Sequence, residues 1–333
     1  MNQHPTRRHA LVASAATLAG LGIGLATAPT ARAQSGWPSK PIKLVVNFPP
    51  GGAADTLARL VSPALAEGLG QPVVVENRGG SGGNLGADAV AKSAADGYTL
   101  LMASGGTMSI NPHIYARMPF DPARDLVPVS GVARVSVYLV CRPDLPAANV
   151  QEFIELLRAR PGKLSYGSPG NGSSPHLAAE MMKAQTGTFA VHVPYRGAAP
   201  ALNDLLGGQI DFAFDPGIGL QHVRTGRLRL LAVGSPQRSP LFPQTPTLAE
   251  SGLPGFDADS FFGIYAPAGT PADIVDRLSK EVARALASPT VRERIVAIGG
   301  EAAPLSPAEF NRRMHDDSQR FGKIIRERKI VGD

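Results

Sequence analysis

The sequence holds a single cysteine, Cys141, in 333 residues. That excludes an intrachain disulfide and a thiolate metal cage, which needs several sulfur ligands. Cys141 ends the strand-like run Val135-Ser136-Val137-Tyr138-Leu139-Val140-Cys141 and reads as a small core residue. The histidines past the N-terminal segment are His113, His176, His192, His222 and His315, and no pair has H-x-x-x-H or H-E-x-x-H spacing. No resident metal is expected. There is no G-x-x-x-x-G-K-[ST] motif and no G-x-G-x-x-G after a strand, which argues against nucleotide cofactors. Basic runs interleaved with aromatics are also missing, so nucleic acid is not an expected partner. Neither an internal repeat nor a low-complexity stretch interrupts the chain after residue 33.

What is present begins with an export signal. Arg7-Arg8 precede the apolar stretch Ala10–Ala28, and Ala31-Arg32-Ala33 forms a small-x-small cleavage site before Gln34. Residues 1–33 therefore read as a cleavable signal peptide for the Sec or the twin-arginine route. Three basic residues leave with it (Arg7, Arg8, Arg32), so 33 basic residues become 30 against 27 acidic and the net charge falls from +6 to +3. About 300 residues remain, enough for two domains with real cores.

The most informative stretch is Leu44-Val45-Val46-Asn47-Phe48-Pro49-Pro50-Gly51-Gly52-Ala53-Ala54-Asp55-Thr56-Leu57-Ala58-Arg59. An apolar strand enters a Pro/Gly turn that opens directly into a helix. The unpaired N–H groups and positive dipole end of such a helix start suit an anion. Phe48–Thr56 contains no Lys or Arg, so backbone would do most of the holding. A second loop of the same kind, Ser165-Tyr166-Gly167-Ser168-Pro169-Gly170-Asn171-Gly172-Ser173-Ser174-Pro175, also joins a strand to a helical run. Two such loops suggest a small acid held between two lobes.

Short β-like runs alternate with helical ones. Ile42–Asn47, Val73–Val75, Tyr98–Ala103, 164–168, 190–195, 210–215 and 228–234 read as strands. Helices are expected over Thr56–Leu69, Ala87–Ala94, Asn149–Arg160, 174–186 and 198–206. Pro63 should kink or shorten the first of these, and Gly70 should stop it. Thr270-Pro271, Ser288-Pro289 and Ser306-Pro307 are expected caps of late helices. This alternation predicts an α/β fold with parallel sheets covered on both faces and a ligand at the carboxyl ends of the strands.

Three residues invite chemical roles. Ser81 sits in Gly79-Gly80-Ser81-Gly82-Gly83, which matches G-x-S-x-G by letter, and a secreted serine hydrolase is the alternative it raises. Asn77–Gly80 separates it from the strand end, too far for a strained elbow. His176 is expected to pack under its loop rather than meet a ligand. Asp55 is expected to complement the helix start and pair with Arg59, since a carboxylate beside an anion would repel it.

The chain resembles the substrate-binding proteins of tripartite tricarboxylate transporters, the Bordetella-uptake-gene (Bug) receptor family. The resemblance covers nearly all of the mature chain. It rests on Pro50-Gly51-Gly52-Ala53-Ala54-Asp55 with Arg59, Val75-Glu76-Asn77-Arg78-Gly79, Asp96-Gly97-Tyr98-Thr99-Leu100 and Asn111-Pro112. Further matches are Pro161 to Ser168, His192-Val193-Pro194-Tyr195-Arg196-Gly197, Gly208-Gln209-Ile210-Asp211, Pro246-Thr247-Leu248-Ala249-Glu250, Ala266-Pro267 and Thr270-Pro271.

The resemblance implies a two-lobed periplasmic binding protein, a type II clamshell with two parallel or mixed sheets joined by two crossing strands. Lobe one would comprise 34–133 plus 260–333 and lobe two 134–259, with the crossings near Val135–Arg142 and Ser260–Ala266. It implies a non-enzymatic, monomeric periplasmic receptor that holds a mono- or dicarboxylate, an aromatic acid or an amino acid and delivers it to membrane permease subunits. A sensory receptor presenting the same clamshell to a membrane kinase is a further alternative. Carried over by position, the ligand would meet Gly51, Gly52, Ala53, Ala54, Ser104 and Thr107 from lobe one. Lobe two would add Asn171, Ser173, Ser174, Tyr195 and Asp215. One departure stands out: Phe261-Phe262-Gly263 occupies the place where the family often has Trp before Gly.

Overall fold

The computed structural model describes residues 36–331, so the expected signal peptide lies outside the described residues. Eleven strands are present among them: β1 Ile42–Val46, β2 Val73–Asn77, β3 Thr99–Ser104, β4 Leu126–Val135, β5 Tyr138–Cys141, β6 Ser165–Ser168, β7 Val191–Pro194, β8 Phe212–Asp215, β9 Arg229–Val233, β10 Ser260–Pro267 and β11 Gly300–Ala302. Between them lie helices α1 Ala53–Leu69, α2 Asn84–Ala91, α3 Asn111–Ile114, α4 Pro122–Asp125, α5 Val150–Ala159, α6 Ser174–Thr186, α7 Ala198–Leu206, α8 Leu220–Arg224, α9 Ala272–Ala287, α10 Pro289–Ala297 and α11 Pro307–Arg328.

Two mixed sheets organise the chain. The first runs β11-β4-β10-β3-β1-β2 and the second β7-β6-β8-β5-β9. β1 pairs parallel with β2 and β3, and β6 pairs parallel with β7 and β8. The remaining pairings are antiparallel. Both faces of each sheet are covered, as the near-continuous apolar strands require. On the first, Ile42, Leu44 and Val46 pack with α1 and α9, while Val45 joins Leu101, Ala103 and Phe310 on the opposite face. On the second, Leu139, Phe212 and Phe214 pack with α5 and α6, while Tyr138, Val140 and Ala213 face α7 and α8.

The chain passes from the first sheet to the second through Ser136-Val137, between β4 and β5. It returns through the irregular segment 234–259, and β10 then pairs only with β3 and β4 of the first sheet. The return crossing therefore precedes the strand expected to make it. The Ser235 hydroxyl joins the two crossings, reaching Ser136 Oγ at 2.6 Å and the Asp259 carboxylate.

Two local expectations are overturned. α1 runs unbroken through Pro63, because that residue and Arg59, whose carbonyl loses its N–H partner, are both exposed to water. The apolar stripe Leu57, Val61, Leu65 and Leu69 meanwhile holds the helix to the sheet. Thr270 does not cap α9: its hydroxyl donates to the Pro267 carbonyl at 2.7 Å, and Pro271 takes the cap position. Ser288 takes the N-cap of α10 without a side-chain bond, whereas Ser306 and Glu309 complete a reciprocal capping box on α11.

Candidate functional site

The carboxyl ends of the parallel strands β1, β2, β6 and β7, with the ends of β3 and β8, lead to one cavity of about 830 Å³. Four helices begin on its wall. Gly52, Ala53 and Ala54 open α1, Gly83 caps α2, Ser173 and Ser174 open α6, and Gly197 and Ala198 open α7. The sequence pointed to α1 and α6 alone. The starts of α2 and α7 carried the same strand–glycine–helix signal, in Gly80–Gly83 and in Tyr195-Arg196-Gly197.

The first loop is built around a buried acid. Asp55 Oδ2 accepts the Gly51 N–H at 3.0 Å, Arg59 Nε approaches both carboxylate oxygens, and the Asn77 amide donates to Oδ1 at 3.0 Å. The same amide donates to the Phe48 carbonyl, which ties β2 to the loop. Burial acts to raise the Asp55 pKa, but Arg59, the Gly51 N–H and Asn77 more than offset it, so the carboxyl stays below the ordinary aspartate value. Asp55 is not part of the cavity wall, and the first intrahelical bond runs from Thr56 N–H to the Gly52 carbonyl. The Ala53 and Ala54 N–H groups at the start of α1 precede that bond.

The loop Pro169–Ser174 rests on a hydroxyl and on stacked rings. The Ser173 hydroxyl donates to the Gly170 carbonyl at 2.7 Å and accepts the His176 N–H at 3.4 Å. His176 Nδ1 accepts the Gly172 N–H at 3.0 Å. The His176 ring stacks on His192 with centroids 4.0 Å apart, and His192 stacks on Tyr166 at 4.8 Å. Burial and the neighbouring His176 push the His192 pKa down to about 3. Burial pushes the Tyr166 phenol far up, and its hydroxyl donates to Glu180 at 2.8 Å. His176 is thus a support beneath the loop and is absent from the cavity wall.

Gly52, Ala53, Ala54, Ser104, Thr107, Asn171, Ser173, Ser174 and Tyr195 all line the cavity. Gly51 and Asp215 do not. The Gly51 N–H is committed to Asp55. Asp215 is buried, and its Oδ1 accepts the N–H groups of Gly217 at 2.7 Å and Gly219 at 2.9 Å. Burial, partly offset by those two bonds, raises its pKa to about 6. Placing Asp215 on the cleft is therefore corrected: it shapes the turn after β8 and borders a separate, water-sized void of about 10 Å³.

Two lining hydroxyls are already engaged. Thr107 accepts from Asn47 at 2.9 Å and donates to the Gly82 carbonyl at 3.1 Å. The Tyr195 hydroxyl donates to Asp204 at 2.7 Å, and burial with that acceptor pushes its pKa up to about 12. Thr107 thus holds the Gly80–Gly83 turn, and Tyr195 offers the cavity its ring. Residues the sequence did not assign also line the wall, among them Phe48, Tyr115, Arg196 and Phe262. Phe262 supplies an apolar surface near the family's usual Trp position, while the Phe261 ring lies under the Arg313 guanidinium at 4.4 Å.

Ser81 reaches the wall with a left-handed φ of 49°. Among the described residues the wall carries no His, Asp, Glu or Lys, so Ser81 has no general base there and nucleophilic catalysis gains no support. No group of His, Cys, Asp and Glu that could hold a metal occurs among the described residues. No described helix is long and apolar enough to cross a membrane. Cys141 lies buried in β5, its thiol pushed up to about 11 by burial.

Known proteins share this architecture. Residues 57–330 match the Tripartite tricarboxylate transporter family receptor. Protein BugT of Bordetella pertussis (strain Tohama I) is 40% identical over 315 residues, covering 93% of this chain and 96% of BugT. The solved structure of R. palustris Rpa4515 with adipate has a TM-score of 0.85 at 38% identity, covering 89% of this chain and 99% of that one. The periplasmic binding protein BugD gives 0.83 at 32% identity, covering 89% of this chain and 100% of BugD. Matched sequence, paired sheets and cleft together lead to one conclusion: this chain belongs to the tripartite tricarboxylate transporter receptor family.

Proposed function

We propose that the protein is a periplasmic receptor that binds a small organic carboxylate in this cleft and delivers it to integral membrane permease subunits. The observation that carries this reading is the convergence of strand ends and helix starts on one cavity whose wall has, among the described residues, a single charged side chain, Arg196. A helix N-terminus contributes about 0.3–1 kcal/mol to a nearby anion, and up to about 2 when partly buried. A charge-assisted hydrogen bond adds about 1.5–3 kcal/mol. Three or four such bonds approach the roughly 8 kcal/mol of a micromolar complex. The Ala53 and Ala54 N–H groups with Ser104 would hold the carboxylate from one side, and Asn171, Ser173 and Ser174 from the other.

Residues 34–133 plus 260–333 would form one lobe and 134–259 the other. Donors drawn from both lobes bind better in the closed form, and that differential affinity drives closure. The adipate bound by the related Rpa4515 supports the ligand class, and residues 1–33 would direct export.

A thermal-shift and calorimetric screen of organic acids tests the reading. Saturable binding without turnover is expected, while a flat response from ligand-free protein across mono-, di- and aromatic acids would overturn it. Esterase activity lost in Ser81→Ala would favour a hydrolase instead.

A further inference from the structure

Arg196 stands apart from the rest of the cavity wall. Every other described lining side chain is of an uncharged residue type, and most are Gly, Pro, Ala, Ser or aromatic. Its loop is held on both sides: Tyr195 N–H donates to the Ser168 carbonyl at 2.9 Å, and Gly197 N–H to the Pro169 carbonyl at 3.1 Å. The Tyr195 hydroxyl on Asp204 fixes the preceding ring as well. The guanidinium itself makes no hydrogen bond or ion pair to a described residue. An exposed guanidinium thus extends from a base tied by backbone hydrogen bonds to the loop Pro169–Ser174. On the receptor reading, the backbone donors of α1 and α6 would serve one acid group without any cation. A cavity of about 830 Å³ leaves ample room for a ligand body beyond that group.

We infer that Arg196 binds a second carboxylate of the ligand, so that the cleft selects dicarboxylates over monocarboxylates of equal chain length. The guanidinium fork matches a carboxylate in a two-bond, planar arrangement that a lysine ammonium does not reproduce. Because Arg196 is exposed, the attraction is screened by salt. The phenyl and pyrrolidine faces of Phe48, Pro49, Tyr195 and Phe262 would cover the carbon chain between the two acid groups. This inference rests on the receptor reading above and adds to it a residue and a selectivity.

Calorimetric titration with adipate and hexanoate, which share a six-carbon chain, tests it. The wild-type protein is expected to bind adipate about ten- to a hundredfold more tightly than hexanoate, the range of one charge-assisted contact. Arg196→Gln should remove most of that preference by weakening adipate at least about tenfold more than hexanoate, while Arg196→Lys should keep part of it. Raising salt should weaken adipate more than hexanoate in the wild type and equally in Arg196→Gln. Equal affinity for the two acids in the wild type would overturn the inference while leaving the receptor reading intact. A parallel loss of both acids in Arg196→Gln, or a loss of neither, would do the same. If the wild type bound no acid at all, the receptor reading would fall and this inference with it.

Discussion

The loop Pro49–Asp55 stands on an ion pair, whereas the loop Pro169–Ser174 stands on stacked aromatic rings. Both present helix starts to the same cavity, yet a buried carboxylate organises one and two histidines the other. Asp55 faces away from the cavity and is neutralised by Arg59, so its charge builds the turn without repelling an incoming anion. The second loop places its carboxylate, Glu180, behind the Tyr166 ring and pairs it with Lys183 and Arg328. In both, among the described residues, negative charge is kept out of the cavity wall, and under the proposed function the backbone donors would meet the ligand.

The sharpest break in this comparison should come from Gly172→Ala. Gly172 has a φ of +72°, and an added Cβ would fall 1.9 Å from Ile114 Cδ1. Left-handed strain plus the overlap should cost about 2–4 kcal/mol, read by denaturant unfolding, and should abolish acid binding. Asp55→Ala comes next. It strips acceptors from the Gly51 N–H, Asn77 and Arg59, for an expected loss of about 2 kcal/mol and at least a tenfold drop in affinity.

Acid should separate the two loops. His192 titrates near 3 when folded, against an ordinary value of 6.5, so the unfolded chain binds the extra proton between those limits. Its stabilising contribution is complete above pH 6.5 and fades as the pH falls toward 3. The Asp55 contribution is complete above the ordinary 3.8 and fades only below it. Asp215 and Asp259, raised to about 6 and about 7, act with the opposite sign and gain as the pH falls through those values. Hydrogen exchange resolved by residue is therefore the proper readout, with protection of 169–176 expected to fall at a higher pH than that of 51–56. The smallest effect belongs to Arg59→Gln. The Arg59 side chain is 55% exposed, and losing its pair should cost about 0.5–1 kcal/mol.

Much of this was legible in the sequence, and the misses share a cause. The two strand–glycine–helix loops on the cavity wall, the support role of His176, the core place of Cys141 and the bounds of α6 and α7 follow from local pattern. Asp215 misled because a carboxylate after a strand end looks the same in sequence whether it faces a ligand or accepts the N–H groups of its own turn. Thr107 does line the cavity, but its hydroxyl is engaged by Gly82, a partner that only the folded loops bring near, while Gly51 gives its N–H to Asp55 in its own turn. Pro63 passed inside α1 because solvent exposure, which no local pattern reports, spared its cost. Arg196 lay in plain view within a family motif, but only the folded cleft shows that it carries the wall's sole charge among the described residues.

The central claim is that a carboxylate sits between the helix starts of α1 and α6. A crystal structure of the protein grown with adipate tests it most directly. The account predicts one carboxylate within hydrogen-bonding distance of the Ala53 or Ala54 N–H and of Ser173 or Ser174. Adipate bound away from both helix starts, or held through Asp215, would contradict it.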